Sequence, residues 1–310
     1  MQRRQFLASS PAAAAAAAAA KANIRVGITS NTRPEWADKQ GFERSLVECA
    51  ELGYRSIETF WSYVSEWEDR PQALLDRLGK LGLDFVTVSN SGPLNMNFHD
   101  PAARAEVLAG HMRLVRFIKK LGCGHLKINC GPPLPGGMNE AVYREQARTF
   151  EELGRRIADE GLRFGIHAHL WSQFETPRDV ERIFELTDPR YVGFILDTGH
   201  VSMAGMDPVA LTRRYGARIL EFHLKDVAPE NRGGYRGPGL DRARVNTGPG
   251  DLIFFPLGEG GVDYPAILGH LESIGWSGWF TVELDRTPTT AKDAAARSKA
   301  YIEKTLGLRL

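Results

Sequence analysis

In the stretch GFILDTGH, Gly193 to His200, residues that favour burial run straight into Asp197 and, three positions later, His200. A strand interior has no use for a carboxylate and an imidazole at that spacing. The same ending recurs along the chain. Glu58 closes one apolar run, and Lys127 and Asn129 lie near the end of another. His167 and His169 end a third, His223 with Lys225 and Asp226 ends a fourth, and Glu283 ends the last. Any one of these could be a capping group or a satisfied core polar residue. Taken together, His, Asp, His and Glu offer imidazole nitrogen and carboxylate oxygen, a set that suits a divalent ion such as Mn²⁺, Co²⁺, Zn²⁺ or Mg²⁺.

Such a set works only if the runs that carry it end at the same place. Eight β-rich runs alternate with amphipathic helical stretches. They are NIRVGIT at 23, YRSIETF at 54, LDFVTVSN at 83, GHLKIN at 124, LRFGIHAH at 162, YVGFILDT at 191, RILEFHLKD at 218 and GWFTVELD at 278. Several helical stretches stop at Gly, the usual left-handed terminator. Alternating strand and helix implies a parallel sheet. Eight such units predict an α/β fold, a single-domain (β/α)8 TIM barrel over residues 23–310, with chemistry at the C-terminal strand ends. After the first strand the chain reads TSNTRPEW, without G-x-G-x-x-G, which excludes a dinucleotide-binding domain, and no P-loop occurs. The last inter-strand gap is the longest, and its loop, 228–257, is rich in Gly, Pro and Arg. Arg232, Arg236, Arg242 and Arg244 there are expected to close over a substrate as a lid.

The segments HAHLWSQFET, VGFILDTGH, EFHLKDV, GEGGVDYPAIL and GWFTVELDRTP fall in order on strands five to eight. With them the chain resembles the xylose isomerase-like barrel superfamily, in the sugar phosphate isomerase/epimerase group that includes inosose dehydratase. The resemblance covers residues 23–308. It implies one metal ligand from each of strands five to eight, carried over as His169, Asp197, His223 and Glu283. His169 is preferred to His167 because it lies six residues before Glu175. It also implies a substrate or supporting contact at His200. Apart from the resemblance, Glu58, Lys127, His167 and Asp226 at the strand ends, Arg232 and Arg236 in the long loop, and Glu175 are further substrate-binding candidates. The chemistry implied is proton abstraction next to a carbonyl, with Glu283 as base and Lys225 or His200 delivering the second proton. Sugar 3-epimerases of the family carry Glu on strand five, where this chain has His169, so a two-glutamate mechanism does not carry over. The expected activity is a metal-dependent carbohydrate isomerase/epimerase working through an enediolate. An inosose-dehydratase-like lyase is the alternative, and a sugar-binding protein without activity the remote one. Abasic-site endonucleases share the barrel, but DLIFFPL lacks their Asp-x-His pair.

A net charge of +1 gives no basic footprint for nucleic acid. The partner implied is a small-molecule sugar, with a homo-oligomer also open. MQRRQFLASSPAAAAAAAAAKA has the layout of an export signal over 1–22, and Arg3-Arg4 before Phe6-Leu7 matches the twin-arginine pattern. That predicts a periplasmic or otherwise exported protein, a location that weighs against a phosphorylated substrate. No other stretch is long and apolar enough to span a membrane. Cys49, Cys123 and Cys130 are too few and too badly spaced for a disulfide framework and are expected to be core thiols.

Overall fold

A computed structural model describes residues 22–237, 240 and 252–310. All eight expected strands form: β1 (Asn23–Thr29), β2 (Ser56–Phe60), β3 (Asp84–Ser89), β4 (His125–Ile128), β5 (Arg163–His167), β6 (Gly193–Asp197), β7 (Ile219–Leu224) and, after two short strands, β10 (Ser277–Val282). They pair in parallel in the order β3-β2-β1-β10-β7-β6-β5-β4, which makes a nearly closed single-domain (β/α)8 barrel. Between β3 and β4 no ladder forms among the described residues. Side chains bridge that seam instead. Thr87 Oγ1 donates to His125 O at 2.7 Å, and the Asn90 amide accepts from Asn129 N at 2.7 Å and donates to Asn129 O at 3.1 Å.

Every residue of β6 and β7 is buried, as expected for barrel strands covered on one face by helices and on the other by the barrel filling. The helix Glu140–Asp159 shows the covering pattern. It buries Tyr143, Ala147, Phe150, Leu153 and Ile157 at three- and four-residue spacing and leaves its charged residues outward. The three cysteines are buried and free, as expected.

The long loop after β7 is not structureless throughout. Its ends pair as β8 (Asp226–Val227) and β9 (Phe254–Phe255), antiparallel, a hairpin that the spacing did not suggest. The segment 1–22 expected to be an export signal lies, except for Ala22, outside the described residues, as do Arg242 and Arg244. No helix among the described residues is long and apolar enough to cross a membrane.

Candidate metal and active site

The sequence DTGH builds a turn that splits the work of one carboxylate. Asp197 Oδ1 accepts the His200 N–H at 2.8 Å and caps the helix Thr198–Met203, which leaves Oδ2 for the barrel mouth. Thr198 Oγ1 accepts the Lys225 N–H at 3.0 Å and ties the end of β6 to β7. Gly199 is required for close approach, because a Cβ there would lie 2.7 Å from Lys225 Cγ.

Around Asp197 Oδ2 four donor residues converge: His167, Asp197, His223 and Glu283, all buried, with one atom of each within 4.8 Å of the others. His167 Nε2 lies 3.4 Å from Asp197 Oδ2 and has no hydrogen-bond partner. His223 Nδ1 donates to Glu283 Oε2 at 2.6 Å. Beside them Lys225 Nζ, fully buried, lies 3.1 Å from both Asp197 Oδ2 and Glu283 Oε2. It also donates to Asp285 Oδ1 at 3.0 Å and to His200 Nε2 at 2.9 Å.

Burial disfavours charge on every one of these groups, and specific partners decide which remain charged. Burial holds His167 and His200 well below the usual imidazole range and His169 at about 4, so these rings are neutral. At His223 burial is overcome by Glu283 and Glu58, and the ring is pushed up to about 10. Burial lifts Asp197 to about 7, against the pull of Lys225. Glu283 is buried too, yet His223 and Lys225 hold it well below the carboxylate range. Two nitrogens and two carboxylates around a common point, with an unpartnered imidazole nitrogen among them, fit a divalent ion.

Three of the four expected ligands are in this set. The fourth position differs: the structure brings His167 to it, and places His169 in an adjacent cluster with His200 and Asp285, its ring centroid 3.6 Å from that of His200. The marker that favoured His169 was Glu175, and Glu175 faces elsewhere. Its carboxylate accepts the Trp171 N–H at 2.7 Å and holds a tryptophan at φ 60°, a backbone region unusual for a bulky side chain.

Other expected substrate residues also have different surroundings. Glu58 is fully buried behind His223. The Asp226 carboxylate is taken up by the backbone N–H groups of Val227, Gly258, Gly260 and Val262, so it organises the GEGG turn. Arg232 is exposed and paired with Asp263, and Arg236 is exposed and donates to Gly205 O at 2.5 Å. Arginines among glycines carry no sequence signal for direction, and these two turn away from the cleft.

The cleft itself, about 330 Å³, is lined by Lys127, His167, His169 and Glu283 as expected. Asp285, Asn31, Asn90 and Trp171 line it too and were missed. Asp285 was accessible to sequence reasoning, since it lies two residues beyond Glu283 and so shares its face. Asn31 Nδ2 donates to Glu283 Oε1 at 3.0 Å, a contact across 252 residues that no local pattern reveals.

The profile of the family described as "Xylose isomerase-like TIM barrel" matches residues 46–305. The rhizopine catabolism protein MocC of Rhizobium meliloti is 32% identical over 288 residues, 85% of this chain and 80% of that protein. An inosose dehydratase of Lacticaseibacillus casei is 24% identical over 297 residues, 91% of this chain and 96% of that one. Among solved structures, a zinc-bound IolI protein superimposes with a TM-score of 0.68 at 19% identity, covering 90% of this chain and 96% of that one. At that identity the likeness is one of fold.

Proposed function

The chain belongs to the xylose isomerase-like TIM barrel family, and on that premise we propose a metal-dependent lyase that dehydrates an inosose-like cyclic keto-sugar. One observation carries this reading: across the cleft from Glu283 stand His167 at the end of β5 and His169 just beyond it, not a second glutamate. A single carboxylate base suits removal of one proton and loss of a neighbouring hydroxyl better than two-sided proton exchange. The inosose dehydratase relatives support the same choice.

His167, Asp197, His223 and Glu283 would hold the ion. When bound it would polarise the substrate carbonyl and make the adjacent C–H acidic. Nitrogen donors favour Mn²⁺, Co²⁺ or Zn²⁺ over Mg²⁺, which prefers oxygen. Glu283 is ionised at any working pH and stands at the cleft wall, oriented by Asn31, ready to accept the proton. Lys225 Nζ, 3.1 Å from Glu283, is the proton donor nearest that base, and it donates in turn to the neutral His200 ring at 2.9 Å. That pair also supports a second reading, isomerisation or epimerisation, because it could return a proton to carbon.

The substrate is read as unphosphorylated. The one Lys or Arg among the described cleft residues is Lys127, already engaged by Glu58 at 2.7 Å. Export through the Arg3-Arg4 signal, also proposed, agrees with that. NMR in D₂O with inososes and keto-sugars, with added metal, tests the function. Loss of water from an inosose with deuterium exchange at the carbon next to the carbonyl is expected. Exchange with retention of every hydroxyl would replace the lyase by the isomerase, and no exchange with any of them would refute both.

A further inference from the structure

We propose that Glu58 is a positioning residue that decides which nitrogen of His223 faces the metal, and that Lys127 holds Glu58 in the orientation this requires. The inference rests on the metal site just described and extends it beneath the barrel mouth.

His223 uses its two nitrogens in opposite directions. Nδ1 points to Glu283 Oε2 at 2.6 Å and to Asp197 Oδ2 at 3.9 Å, into the donor set. Nε2 points down the barrel to Glu58 Oε2 at 2.9 Å. Glu58 Oε1 in turn accepts from Lys127 Nζ at 2.7 Å. All three side chains are almost wholly buried, so no solvent competes for these bonds. Both nitrogens face carboxylates, which can only accept, so both carry protons until an ion displaces one; Glu58, away from the donor set, keeps the proton on Nε2, and it is Nδ1 that gives up its own and offers the lone pair. Glu221 cannot take over this task. Its Oε1 lies 3.9 Å from Nε2, and its oxygens are engaged by Thr281 Oγ1 and, at 2.7 Å, His125 Nε2.

Lys127 gives the idea a sharp test. In Glu58→Gln the amide has one oxygen and one NH₂ for two neighbours. The ammonium of Lys127 can only donate, so it claims the oxygen and turns the NH₂ toward Nε2 of His223. That nitrogen must then accept, the proton moves to Nδ1, and the metal-facing lone pair is lost. Replacing Lys127 by Met as well frees the Gln oxygen to accept from Nε2–H. The second substitution is therefore predicted to repair part of the damage done by the first.

Zinc affinity is measured by competition with a chromophoric chelator, together with ¹H–¹⁵N spectra of zinc-loaded, ¹⁵N-histidine-labelled protein. Wild type is expected to show a protected Nε2–H on His223. Glu58→Gln should bind zinc about 10- to 100-fold more weakly and lose that resonance. Glu58→Gln/Lys127→Met should recover about tenfold of the affinity and regain the resonance. A merely structural loss would deepen with the second substitution, so a double variant weaker than Glu58→Gln overturns the proposal. So does wild-type zinc affinity in Glu58→Gln. If wild type itself binds no zinc, the metal site fails first, and with it the reading on which this inference stands.

Discussion

Glu283→Gln separates holding the metal from moving the proton. The carboxylate has distinct work at its two oxygens: Oε1 accepts from Asn31 Nδ2 at 3.0 Å, and Oε2 accepts from His223 Nδ1 at 2.6 Å and faces Lys225 Nζ at 3.1 Å. A glutamine keeps one oxygen for the ion and leaves the other three donors in place, but it cannot accept a proton from carbon. General-base help is worth about 10² to 10⁴ in rate, or about 2.7 to 5.4 kcal/mol at about 1.36 kcal/mol per decade. The lower part of that range is expected, because His223 and Lys225 hold Glu283 well below the usual carboxylate range and so weaken it as a base. With saturating metal, solvent deuterium exchange into substrate should therefore fall by about 10² to 10³ while metal occupancy stays near that of wild type. Exchange within about threefold of wild type, with metal bound, would refute Glu283 as base. Attention would then move to Asp197, poised at about 7 by its burial.

Metal binding should tighten as pH rises, because the ion displaces protons. His223 lies at about 10 and Asp197 at about 7 in the metal-free protein. Near pH 8 only His223 must deprotonate, and near pH 6 both must, so proton release should grow from about one to about two per ion as pH falls; calorimetry in buffers of different ionisation enthalpy measures this, and a pH-independent affinity would contradict it. Gly199→Ala places a Cβ 2.7 Å from Lys225 Cγ and should cost about 1 to 3 kcal/mol in urea unfolding, whereas an unchanged midpoint would mean that the turn yields freely. Asp226→Ala leaves the N–H groups of Val227, Gly258, Gly260 and Val262 without their acceptor and should lower stability by about 2 to 4 kcal/mol. Full stability with a raised KM would restore Asp226 to substrate binding.

The barrel and the identity of three converging donors could be read from sequence because both are local signals. A buried strand announces itself by an apolar run, and Asp197, His223 and Glu283 are conspicuous because each ends one. A parallel βαβ alternation leaves few ways to arrange such runs, so polar residues at their C-terminal ends must meet. What a run does not encode is how far each side chain reaches or what lies behind it. His167 ends β5 and His169 follows two residues later, and only the packed barrel shows that His167 reaches Asp197 while His169 lies against His200. Glu58 and Glu283 look alike as strand-terminal acids, yet one is sealed beneath His223 and the other walls the cleft. Asp226 and Arg232 sit in stretches as polar as any substrate loop, but their partners, the GEGG backbone and Asp263, come from 30 or so residues further on. Pattern along the chain selects which residues enter a buried layer. Shear, twist and loop return set the distances between strands, and those distances decide which buried polar groups become ligands, supports or caps.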